Sequence, residues 1–170
     1  MASPRPAFLP SHYPPSEDAT TPALNARGFG ISNGVITILA LIAGFVATGT
    51  PKVGVVGALL SLLITDPLGD SYSIYIAMRD RDEDEALHTF RSTWLYQVLV
   101  QTLFLVVVLC APSLPTALGI ASVLGTGLIF YDLIQRLPSA TLVLREYAAM
   151  VAIVTFTFAV DSGVMRVMKE

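Results

Sequence analysis

Residues 53–78 make one apolar run, yet its interior holds Asp66, Pro67, Leu68, Gly69 and Asp70. About 20 predominantly apolar residues, rising about 1.5 Å each as a helix, are enough to cross the hydrocarbon core of a bilayer. Inside lipid every backbone polar group needs an internal partner, which leaves helices and closed barrels as the possible folds. The run does not alternate apolar and polar residues as a barrel strand does, so a helix is expected. A charge at bilayer depth costs roughly 2.5 to 3.5 kcal/mol on insertion scales, and charges kept there face a bundle interior, a cavity or an ion path. The pentapeptide is therefore the first place to look for function.

Four more apolar blocks of similar length follow the same logic. With 54% hydrophobic and 14% charged residues, the chain reads as an all-α polytopic membrane protein with five transmembrane helices. The expected spans are residues 22–48, 53–78, 94–110, 116–133 and 140–168, in one domain over residues 21–170. Residues 1–20 carry Pro4, Pro6, Pro10, Pro14 and Pro15 without an apolar signal core, the pattern of a disordered tail. Thr21 followed by Pro22 is a helix start. Gly49, Thr50, Pro51 and Lys52 make a turn so short that spans one and two should form an antiparallel hairpin. Trp94 and Tyr96 suit an interface at the start of span three, and Pro138 with Ser139 should cap the last helix. Basic residues flanking the spans fall mainly on the N-terminal side: Arg27, Arg79, Arg81, Arg91, Arg136 and Arg145 against Lys52, Arg166 and Lys169. That bias predicts a cytosolic N-terminus and a luminal or extracytosolic C-terminus.

Some functions are disfavoured at once. A net charge of −3 with scattered basic residues gives no nucleic-acid footprint. The lone Cys110 excludes an intrachain disulfide and a cysteine-based metal site, and it reads as a small buried hydrophobe.

Asp66 and Asp70 are four residues apart and share a helix face, which Ser73 continues. At about 1.5 Å per residue, Asp70 lies about 25 Å and Asp66 about 20 Å from the turn, while Asn33 and Thr37 on span one lie at about 24 and 18 Å. Asn33 should thus face Asp70, and Thr37 should face Asp66. Pro67 has no N–H, which frees the carbonyl of Leu63 beside both carboxylates. Carboxylate, carbonyl and amide oxygens suit a hard divalent cation, and a carboxylate in low dielectric suits a proton carrier. Alternatively, the aspartates bond to Asn33, Thr37, Ser71 and Ser73 to hold helices or subunits together.

Asp80, Asp82, Glu83, Asp84 and Glu85, in the segment between spans two and three, could gather cations at the cytosolic mouth or form a solvated charge run. Gly54, Gly57, Ala58 and Ser61 on span two, and Gly119, Gly125 and Gly127 on span four, permit close helix approach within or between subunits. Asp161 sits near the outward end of the last span. An enzyme is not expected. Tyr131 and Asp132 with Leu68, Gly69 and Asp70 faintly resemble intramembrane aspartyl proteases, but the motif order is reversed, Pro67 replaces a glycine, and Asp132 stands at a helix end.

The first hairpin resembles the vacuolar iron transporter family. Members open their first span with Ser-Asp-Gly and a following threonine; here stand Ser32, Asn33, Gly34, Val35, Ile36 and Thr37, with Ala43 and Gly44 beyond. Their second span ends in a pattern like Ser-Met-Gly-x-Gly-Glu-Tyr-x-Ser, and here Thr65 to Ser73 takes its place. The resemblance implies a homodimer of five-helix subunits in a vacuole-like or other endomembrane, exporting Fe²⁺ or Mn²⁺ from the cytosol against protons. The divalent metal ion is then substrate, with no permanently bound cofactor. Asn33 stands at the family's first-span aspartate, Asp66 at its methionine and Asp70 at its glutamate. Exchanging a thioether for a carboxylate favours harder ions such as manganese, magnesium or calcium. The family's cytosolic metal-binding insert between spans two and three has no counterpart. The alternative on the same fold is a non-transporting structural subunit.

Overall fold

The computed structural model describes residues 22–137 and 139–167. The N-terminal tail and the side chain of Asp161 lie outside the described residues. The described residues form five helices and no strand: α1 (Pro22–Thr48), α2 (Lys52–Met78), α3 (Glu83–Cys110), α4 (Leu114–Arg136) and α5 (Ala140–Val167). All five are long and apolar enough to cross a membrane, which makes the chain a multi-pass integral membrane protein.

Local chemistry sets the helix ends. Gly49 takes a left-handed φ of 67° after α1, and Thr50 N–H reaches back to the Phe45 carbonyl at 3.0 Å, closing the last turn. Ser113 accepts from Thr116 N–H at 3.3 Å before α4, and Ser139 accepts from Leu142 N–H at 3.3 Å before α5. Asp82 caps α3 by accepting from Glu85 N–H at 2.9 Å. Helix α3 therefore begins at Glu83 rather than near residue 94. Glu83, Asp84 and Glu85 occupy its first turn, where negative charge complements the unpaired N–H groups of a helix start. The acidic segment is thus a helix-start signal, and Asp80 pairs with Arg79 at 3.4 Å in the turn before it.

Helix α1 is the hub, touching the other four. Ile31, Val35, Ile38, Leu39 and Ile42 bury its stripe against Val100, Phe104 and Val108 of α3 and Ala117, Ala121, Ile129 and Leu133 of α4. Gly125 marks a close crossing of α4 over α1, since a Cβ there would stand 2.7 Å from Val35 Cγ1 and 3.3 Å from Phe104 Cζ. Gly57, Gly119 and Gly127 have nothing within 4 Å of that position, so of the glycines expected to allow close approach on α2 and α4 it is Gly125 that does so within the subunit. Leu144, Val151 and Phe156 of α5, with Val53 and Ile64 of α2, leave apolar surface exposed, as lipid-facing helices do.

The expected hairpin pairing is only partly found. Helix α2 packs chiefly on α3 and touches α1 sparsely. Two features explain this. Lys52 Nζ donates to the carbonyls of Leu109 and Ala111 at 2.9 and 2.7 Å, tying the start of α2 to the end of α3. Meanwhile Gly30 and Gly34 turn the bare side of α1 toward α3: a Cβ on Gly30 would meet the Thr93 carbonyl at 2.7 Å. Tyr96 packs against this glycine, while Cys110 ends α3 exposed rather than buried.

Candidate functional site

Where α1, α2 and α3 converge, two carboxylates meet three side-chain amides. Asn33 donates through Nδ2 to Asp70 Oδ2, the contact that the helical rise predicted across the first hairpin. Gln97 Nε2 bridges both aspartates, at 2.7 Å from Asp66 Oδ2 and 2.8 Å from Asp70 Oδ2. Gln101 Nε2 adds a third contact to Asp66 Oδ2 at 2.6 Å. Both aspartates are partly buried, and both glutamines are buried completely.

Asp66 therefore takes its partners from α3 and not from Thr37. Thr37 lines a separate cavity of about 570 Å³ with Phe45, Thr48, Leu62 and Thr157. Because α3 sits in the place where α1 and α2 were expected to face each other, only Asn33, low on the hairpin, still reaches across. Gln97 and Gln101 were missed by sequence reasoning. Their signal was available: two amides four residues apart in an apolar helix repeat the spacing of Asp66 and Asp70, and Thr93 continues the row.

The remaining expected residues divide. Pro67 is buried inside a continuous α2, so the helix tolerates the missing N–H donor without breaking. Ser71 is fully buried and its Oγ has no partner. Ser73 is exposed and spends its hydroxyl on the Gly69 carbonyl at 2.8 Å. Leu63 packs against the core as a half-buried side chain. The acidic residues from Asp80 to Glu85 belong to the α2–α3 turn and the first turn of α3, and none bonds to the cluster.

Electrostatically the cluster is lopsided. No guanidinium or ammonium approaches either aspartate within salt-bridge distance among the described residues. Neutral amide N–H groups are what the carboxylates receive. On the far side of the same amides, Gln97 Oε1 and Gln101 Oε1 are buried without partners. A half-turn about the last side-chain torsion of a glutamine exchanges its donor for its acceptor. The same five side chains can therefore present N–H groups to bare carboxylates or oxygens to a shared cation. Among the described residues no three His, Cys, Asp or Glu side chains gather into a metal-binding group, so any cation here relies on amide oxygens to complete its shell.

A second polar centre lies on the opposite side of α1. Asp132 of α4 is 1% exposed; its Oδ2 accepts from Arg136 Nε at 2.6 Å and lies 2.5 Å from Arg136 Nη2, while its Oδ1 makes only an ion pair with Arg27 Nε of α1, at 3.5 Å. Asp132 is thus committed to two arginines rather than paired with Asp70 as a protease dyad would require.

No protein-family model, curated protein or solved structure matches this chain.

Proposed function

We propose that the chain is a divalent metal cation transporter, exporting Fe²⁺ or Mn²⁺ from the cytosol in exchange for protons. The observation that carries this reading is the pair Asp66 and Asp70, held between spanning helices with amides for neighbours and no countercharge. Two carboxylates without a cationic partner form an environment that a cation or protons would balance, and such uncompensated charge at membrane depth is costly if it serves only as glue. Asp66 and Asp70 are the charged ligands in this reading. Asn33, Gln97 and Gln101 supply amide oxygens, and the arriving ion displaces protons or N–H donors from the carboxylates. An all-oxygen donor set favours Mn²⁺ over softer ions. The resemblance of the first hairpin to vacuolar iron transporters supports the same reading, together with a homodimer in a vacuole-like membrane and a cytosolic N-terminus.

The other reading, a structural subunit on the same fold, draws on the two amide hydrogen bonds that each carboxylate accepts, which tie α1, α2 and α3 together. Proteoliposomes under an imposed pH gradient separate the two. Purified chain should move Mn²⁺ or Fe²⁺ within a panel of divalent cations, and the D66N/D70N double variant should lose flux while assembling normally. Absence of flux for every ion, or loss of assembly in the double variant, overturns transport in favour of the structural reading.

A further inference from the structure

A cavity of about 520 Å³ opens between α1, α4 and α5, at the bundle end that holds the start of α1 and the end of α4. Phe29, Leu133, Leu142 and Met150 supply apolar wall, while Ser32, Arg136, Arg145 and Glu146 supply polar groups. The charge around it does not balance. Arg145 pairs with Glu146 at 3.0 Å, and the one carboxylate of Asp132 serves two guanidinium groups, Arg27 and Arg136, so three arginines stand against two carboxylates. Among the described residues one positive charge is left over, shared by Arg145 at the open side and by arginines whose side chains are only 24% and 19% exposed. A partly buried cation calls for an anion. Gly28 strengthens the point: a Cβ there would collide with the Arg136 guanidinium, so the bare backbone makes room for the arginine beside the cavity. Ser32 Oγ, buried and without a partner, is a hydrogen-bond donor still to be used.

We propose that this cavity binds the phosphate of an anionic phospholipid. A lipid fits better than a free anion because guanidinium groups, a hydroxyl and apolar walls meet at the end of the membrane-crossing segments, where headgroups and the first acyl carbons lie. Arg145 and Arg136 hold the phosphate oxygens, Ser32 donates its hydroxyl, and Phe29 and Met150 flank the chain. A zwitterionic headgroup brings its own cation, which the positive wall opposes. This site is independent of whether the carboxylate cluster carries ions.

The test is lipid retention by the full chain, measured by native mass spectrometry from neutral detergent. Phosphatidylglycerol should be retained in preference to phosphatidylcholine, and inorganic phosphate should not displace it. R145Q should weaken phosphatidylglycerol binding about tenfold, the loss of one charge-assisted hydrogen bond, with R145K restoring part of it and S32A losing less. Arg145 is 72% exposed and bonds Glu146, so R145Q should melt like the parent chain in detergent alone. Equal retention of the two lipids, displacement by inorganic phosphate, or an unchanged R145Q would overturn the proposal.

Discussion

Helix α1 separates two polar centres that solve the problem of charge in a membrane in opposite ways. On one side Asp132 meets Arg27 and Arg136, so each buried charge has an ionic partner. On the other, Asp66 and Asp70 meet Asn33, Gln97 and Gln101, which donate to one oxygen of each carboxylate and leave charge uncompensated. The difference separates two jobs. An ion triad carries a countercharge of its own in Asp132 and fastens α1 to α4. A carboxylate pair wrapped in amides stays open to a mobile cation, because amides can turn from donor to acceptor and guanidinium groups cannot.

Removing charge from each centre should therefore have opposite consequences. Asp132→Ala strands two guanidinium groups, and breaking a buried pair in this way costs about 3 to 5 kcal/mol. Thermal unfolding in detergent should show it as the largest loss among these variants. Gln97→Leu takes the shared donor from both aspartates and should cost about 2 kcal/mol, in the range for an unsatisfied buried polar group. If Gln97→Leu melts no lower than Gln101→Leu, which affects Asp66 alone, the bridging geometry is wrong. Asp66→Asn keeps an acceptor and removes one uncompensated charge, so the metal-free protein should gain about 1 kcal/mol, as often follows when buried ionic groups are neutralised. A loss there comparable with that of Asp132→Ala would erase the contrast and favour the structural reading of both centres. Smallest of all, Thr37→Ala should leave stability within about 0.5 kcal/mol of the parent. It should also leave flux unchanged, since Thr37 faces a different cavity. Reduced flux in that variant would return Thr37 to the site.

Much of this was legible before any coordinates. Span lengths came from hydrocarbon thickness, and the contact of Asn33 with Asp70 came from helical rise alone. Two errors share one cause. Residues 79–91 read as a soluble, helix-compatible segment separate from span three, yet Asp82 and the acids after it are what the start of that same helix requires. Beginning span three at Trp94 then left Thr93 outside the row that it makes with Gln97 and Gln101. With that helix treated as separate, the short turn after α1 left no candidate but Thr37 to meet Asp66.

Sequence by itself determined that the described chain is helical, that five segments can cross a bilayer, and that Asp66 and Asp70 share one face, because each follows from periodicity and the cost of exposing polar groups to lipid. Which helix that face meets was decided by tertiary packing. Gly30 and Gly34 let α3 press against α1, and Lys52 pins α2 to the end of α3. Neither effect is local: each couples residues more than 50 positions apart, through a close approach and two carbonyls that exist only once the bundle has formed.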